Sequence, residues 1–85
     1  RQGEMKPTTL AVLRAIKQLT AERHGQPPSL REIAKAVPTQ QGREPSISTV
    51  MYHVQDLVKL GLVTRWPRIA RSIVLTPKGK EEAQR

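Results

Sequence analysis

The sequence has no cysteine, one tryptophan and one tyrosine, and about half as many acidic residues as basic ones. The lack of cysteine excludes a disulfide framework and thiolate zinc sites, and it fits a reducing, cytoplasmic setting. Two aromatics are too few for a stacking platform on single-stranded nucleic acid. No apolar run approaches the ~18 residues that a membrane-spanning helix needs, and no signal-peptide or lipidation pattern stands in the sequence. Catalytic groupings are missing too. Ser46, Ser48, His53 and Asp56 lie along one helical stretch that points them apart, which is no geometry for a triad. His53 and Asp56 lack a third ligand for a metal, and Pro77-Lys78-Gly79-Lys80 has the wrong spacing for a phosphate loop. No enzyme activity, metal, cofactor or small-molecule ligand is expected.

What is present is positive charge. Fifteen Lys and Arg against seven Asp and Glu leave a formal net charge of +8 on 85 residues. That length makes one small domain, and that balance points to a polyanionic partner, either nucleic acid or an anionic membrane surface.

The strongest pattern runs from Glu44 to Gly61. Ser46 is placed to cap a helix, and Ile47, Val50, Val54, Leu57 and Val58 recur at helical spacing on one face. The opposite face carries Ser48, Thr49, Tyr52, Asp56 and Lys59. Short hydroxyl side chains at its start allow close approach to another surface, such as a DNA major groove; a solvated polar face is the plainer explanation. Gly61 is read as the helix stop.

Upstream, residues 1–7 read as a lead-in. A helix from Thr8 to His24 aligns Leu10, Leu13, Ile16 and Leu19, with Val12 and Ala15 beside them, Thr8 or Thr9 as its cap and Gly25 as its end. Pro27-Pro28 forces an extended link. Ser29 and Glu32 then form a capping box that opens a short helix to about Val37, which buries Leu30, Ile33, Ala34 and Val37 and turns Arg31 and Lys35 outward. Residues 38–44 connect to the central helix, with Gly42 permitting a positive φ and Arg43 projecting as a phosphate clamp or a solvated arginine.

After Gly61 the period falls to about two. Residues 62–66 and 72–76 are β-favouring runs flanking the basic turn 67–71, which makes a hairpin. No acid stands between Leu57 and Gly79, whereas Lys59, Arg65, Arg68, Arg71 and Lys78 are basic. A hairpin so charged repels itself unless an anion is near. Trp66 is expected to pack the hairpin against the helices. Ile69 is either a tip wedge or folded back. Residues 77–85 read as a short tail, in which Glu81 to Arg85 form at most one helical turn. Three helices followed by a basic hairpin amount to an α+β, mainly α, winged helix-turn-helix over residues 8–76.

The residues also resemble a known family. Gly25-Gln26-Pro27-Pro28-Ser29-Leu30-Arg31-Glu32-Ile33-Ala34 is similar to the GxPPSxREIA signature of the N-terminal DNA-binding domain of LexA-type repressors. Ser46 to Leu57 resembles that family's recognition helix, and Lys59-Leu60-Gly61-Leu62-Val63 resembles its exit into the wing. The resemblance covers roughly residues 8–75. It implies a helix from Ser46 in the major groove, with Ser46, Ser48, Thr49 and Tyr52 toward bases or flanking phosphates and the hairpin tip on the adjacent backbone. Three departures are visible. The 38–44 connection is longer, Ile47 replaces the usual proline, and the Ser–Lys dyad of the autoproteolytic domain is not among these residues, so self-cleavage is not expected of this chain. Leu75-Thr76-Pro77-Lys78-Gly79 is instead similar to a tail found after the wing in other bacterial winged-helix regulators.

The resulting expectation is a sequence-specific binder of double-stranded DNA, the DNA-binding domain of a bacterial or phage LexA-like repressor acting at the nucleoid. Ser46, Ser48, Thr49 and Tyr52 read bases, with Gln55 a turn further down, and Arg31, Lys35, Arg43, Arg65, Arg68 and Arg71 hold phosphates or the wing. A homodimer on a two-fold operator follows from the one half-site that a single small domain can cover. The alternative is a winged-helix module that binds protein or DNA without sequence preference in a replication or transcription complex, with apolar patches at Ile69, Met51 or Leu60.

Overall fold

The computed structural model describes residues 6–37, 45–66, 68–69 and 71–84. The lead-in through residue 5 and the 38–44 connection, including Arg43, lie outside the described residues. Among those described are four helices and one two-stranded sheet: α1 (Pro7–Glu22), α2 (Leu30–Ala36), α3 (Ile47–Lys59), β1 (Val63–Thr64), β2 (Val74–Leu75) and α4 (Pro77–Ala83). The strands pair antiparallel with Val63 opposite Leu75 and Thr64 opposite Val74. The architecture is a small winged helix-turn-helix with a fourth helix behind the wing.

Helix α1 starts one residue before the expected cap. Lys6 is the N-cap without a side-chain bond, and Pro7 occupies the first turn, where its missing N–H costs nothing. Thr9 faces inward instead, and its hydroxyl shares a buried 2.9 Å hydrogen bond with Nδ1 of His53 on α3. At the other end His24, not Gly25, takes the first left-handed position (φ 57°). The Gly25 amide donates to the Thr20 carbonyl (2.8 Å) and the His24 amide to Ala21 (3.3 Å), which closes a Schellman turn.

Helix α2 opens on the expected capping box. The Glu32 amide donates to Ser29 Oγ (3.2 Å), and the Ser29 amide donates to Glu32 Oε1 (2.8 Å). Helix α3 opens on Ser46, whose Oγ accepts from the Thr49 amide (3.1 Å), and closes at Gly61 (φ 76°) with a second Schellman turn from Leu62 to Leu57 (2.9 Å).

The core is one cluster. Val12, Leu13, Ala15 and Ile16 of α1 meet Ile33 and Ala34 of α2, Val50, Val54 and Leu57 of α3, and Leu62, Val63, Ile73 and Leu75 from the wing's base. Leu10, Leu19 and Leu30 are only partly buried at its margin. Two α3 residues assigned to the core face are outside it: Ile47 and Val58 are about two-fifths exposed. At ~100° per residue both lie roughly 70–90° from the centre of the buried stripe, too far round to reach α1. His53 takes the remaining inward position. Trp66 is also misplaced by the sequence reading; it is 68% exposed, because the two-residue strands end before it and carry it past the helices.

The expected tail is a two-turn helix. Thr76 caps α4 by accepting from the Gly79 amide (3.0 Å), its own hydroxyl donates to the Gly61 carbonyl (2.7 Å), and its amide donates to Leu62 (3.0 Å). One residue thus joins the end of α3, β1 and α4. Helix α4 packs on α1 and β2, and its Ala83 and Gly79 are buried. Gly79 sits against the Leu62 backbone so closely that a Cβ would overlap the carbonyl oxygen.

Two stability outcomes follow from this packing. Gly79→Ala should destabilise the chain by about 1–3 kcal/mol in urea unfolding, even though alanine is the better helix former, whereas Lys80→Ala should be near neutral. Thr9→Val, which keeps the shape but strands the His53 nitrogen, should cost about 1–3 kcal/mol, read from the unfolding midpoint at constant slope.

Candidate nucleic-acid interface

Burial of Val50, His53, Val54 and Leu57 turns the other side of α3 to solvent. Ser46, Ser48, Thr49, Tyr52, Gln55 and Lys59 are all exposed, and Tyr52 is 55% exposed. All four proposed base-reading residues are exposed, Ser48 and Tyr52 on this open face, Thr49 at its edge and Ser46 at the helix N-cap, one turn before the buried Val50. They are not equivalent. The Ser46 and Thr49 hydroxyls lie 2.9 Å apart, and Ser46 Oγ also holds the Thr49 amide, so this pair is committed to the first turn. Ser48 and Tyr52 are one turn apart at the centre of the face. The Tyr52 ring meets His53 edge to face at 5.5 Å, which links its orientation to the buried His53–Thr9 bond. Asp56 is half-buried at the margin of this face.

The exposed face is not purely polar. Ile47 and Val58 flank it, and Gln55, Val58, Lys59 and Arg65 line a cleft of about 280 Å³ between α3 and the wing. Lys59 and Gln55 thereby join the wing arginine in one depression. That grouping was not legible beforehand, since it needs the angle at which the wing leaves α3.

The wing tip is built on two arginines in left-handed conformation, Arg68 (φ 69°) and Arg71 (φ 57°), each costing about 1–2 kcal/mol relative to ordinary backbone. Ser72 organises the turn. Its hydroxyl lies 2.9 Å from the Ile69 carbonyl and 3.1 Å from that of Trp66, and it accepts from the Trp66 amide (3.1 Å). Ile69 is 60% exposed, so the folded-back alternative does not hold. Arg65 is half-buried and Arg68 exposed; on α2, Arg31 and Lys35 are exposed. These four make no ion pair among the described residues.

Arg71 is different. Its guanidinium forks onto Glu32, Nη1 to Oε1 at 2.8 Å and Nη2 to Oε2 at 3.4 Å. Arg23, at the end of α1, pairs with the same carboxylate. Arg65, Arg68 and Arg71 together line a second cleft of about 240 Å³ against Pro28, Ser29 and Leu30. The Ser29 amide, then the Arg71 and Arg23 guanidinium groups, hold the Glu32 carboxyl below its ordinary value of 4.5, against the opposing pull of desolvation. A depressed folded-state value stabilises the fold fully above the unfolded value, and the contribution is lost as pH falls through the folded one. Thermal midpoints measured from pH 7 to 3 should therefore fall more steeply below pH 4.5 for the natural chain than for Glu32→Gln.

With this geometry in place, comparison with known proteins is informative. The chain is 44% identical over 73 residues to the LexA repressor of Enterococcus faecalis, covering 86% of this chain and 32% of that protein. It is 38% identical over 74 residues to the LexA repressor of Limosilactobacillus reuteri, covering 87% and 33%. With the LexA repressor of Magnetococcus marinus it shares 36% identity over 80 residues, covering 92% and 31%. The chain spans about a third of the length of these relatives. No protein-family model matches it. No solved structure matches it either. Along almost its whole length the chain is similar to LexA repressors.

Proposed function

We propose that this chain binds double-stranded DNA as the DNA-binding domain of a LexA-like transcriptional repressor in the bacterial cytoplasm, with α3 in the major groove and the wing on the backbone. The similarity to LexA repressors supports the coarse reading of a DNA-binding repressor domain. One observation carries the finer one: a helix clamped into the core on one side presents Ser48 and Tyr52 at the centre of an open face, beside a wing whose charges are all positive. Hydroxyls donate to or accept from base edges, and the short side chains of the first turn let the backbone approach the groove. Ser46 and Thr49 fix the N-terminus of the helix, where its amides suit a flanking phosphate. Arg31, Lys35, Arg65 and Arg68 neutralise backbone charge, as would Arg43, which lies outside the described residues. A pair of chains on a two-fold operator is the natural assembly, since one recognition helix reads one half-site.

A second reading has its own support. Trp66 and Ile69 are exposed on the wing, and Ile47 and Val58 on α3, so the same face offers apolar anchors to a protein partner.

Selection from a randomised duplex pool separates the two. A DNA reader should enrich one motif and prefer it over a scrambled duplex by ~10³ or more. Tyr52→Ala with the fold intact should cost about 1–3 kcal/mol on that motif, and Arg68→Ala should weaken all duplexes alike and lower the salt slope by about 1. Equal binding of every duplex, with affinity that collapses in salt, would leave only charge at work.

A further inference from the structure

Glu32 is used three times. It completes the capping box through Ser29, it pairs with Arg23 at the end of α1, and it receives the forked guanidinium of Arg71 from the wing, 39 residues away. The two-strand sheet is too short to orient the tip, since only Val63–Leu75 and Thr64–Val74 pair before the chain leaves the ladder. Beyond that pairing, Ser72 closes the turn on itself, and the Arg71–Glu32 fork is the ion pair that ties the tip back to the helices among the described residues. Arg68 and Arg71 share a left-handed backbone and both are exposed, but of the two it is Arg71 whose guanidinium reaches α2.

From this placement we infer that Glu32 and Arg71 form a latch that sets the pose of the wing, so that Arg71 is a positioning residue and not a phosphate contact. The inference rests on the DNA-binding reading for its consequence, but the latch itself belongs to the free chain. It assigns Arg65 and Arg68 as the wing's phosphate ligands and explains why Glu32, an acid that pairs with the wing, is tolerated beside a polyanion. The fork matters, since a lysine carries the charge of arginine without its paired donors.

Charge alone and the latch predict opposite signs. Removing a carboxylate from a protein that binds DNA should tighten binding if only charge counts. The latch requires Glu32→Gln to weaken it, although glutamine can keep the capping bond to the Ser29 amide. The test compares Glu32→Gln, Arg71→Lys and the double variant of the 85-residue chain by titration with the selected duplex and by hydrogen exchange without DNA. Each single variant should lose about tenfold in affinity, and the double should lose no more than Glu32→Gln alone, since both break the Arg71–Glu32 fork and only Glu32→Gln also breaks the pair with Arg23. In the free protein the amides of Trp66 and Ile69 should exchange faster, while those of Val54 and Leu57 in the core stay as they were. Tighter binding by Glu32→Gln, or wild-type affinity for Arg71→Lys with unchanged wing exchange, would overturn the latch and return Arg71 to the phosphates. If no duplex is bound by the natural chain, the DNA reading fails, and wing exchange alone decides whether the latch exists.

Discussion

The clamp on α3 is the constraint from which the rest follows. Val50, Val54 and Leu57 are fully buried against the cluster that α1 and α2 supply, and His53 completes the inward side through its bond to Thr9. A helix held on four positions over two turns has no freedom to roll. Its outward residues are then set by rotation alone, and Ser48, Tyr52, Gln55 and Lys59 form a straight exposed row. The proposed function would use this rigidity, because side chains placed for hydrogen bonds to a partner must not depend on a mobile backbone.

The wing answers a different problem. It brings several positive charges together on very little secondary structure, with two strained arginines at its turn. Such a hairpin is marginal alone. The fold supports it at three places. Ile73 and Leu75 anchor its base in the core, Thr76 ties its exit to Gly61 and Leu62, and Glu32 takes the Arg71 guanidinium at its tip. Single surface ion pairs contribute little to stability. A carboxylate shared by two arginines and a backbone amide is better suited to fixing direction than to adding stability.

Much of the fold was legible because local rules and the global pattern agree. The Ser29–Glu32 capping box, the Ser46 cap and the Gly61 stop depend on neighbours within a few residues, and all three stand as expected. The open face of α3 was legible for the same reason. The tail was not, although Thr76-Pro77 is itself a start signal, because Gly79 argues against a helix. That glycine is there because α4 comes into contact with the Leu62 backbone. Trp66 was misread by treating an aromatic in a hairpin as a core residue, when the strands are too short to carry it inward.

Periodicity, caps and charge, read from the sequence alone, determined three helices and a basic hairpin, since each is a property of residues near one another in the chain. Tertiary structure alone decided which apolar residues of α3 are spared from the core, that Lys59, Gln55 and Arg65 share a cleft, and that Arg71 faces Glu32. Those depend on the angles between elements, and such angles arise only when the separate buried stripes are made to share one core.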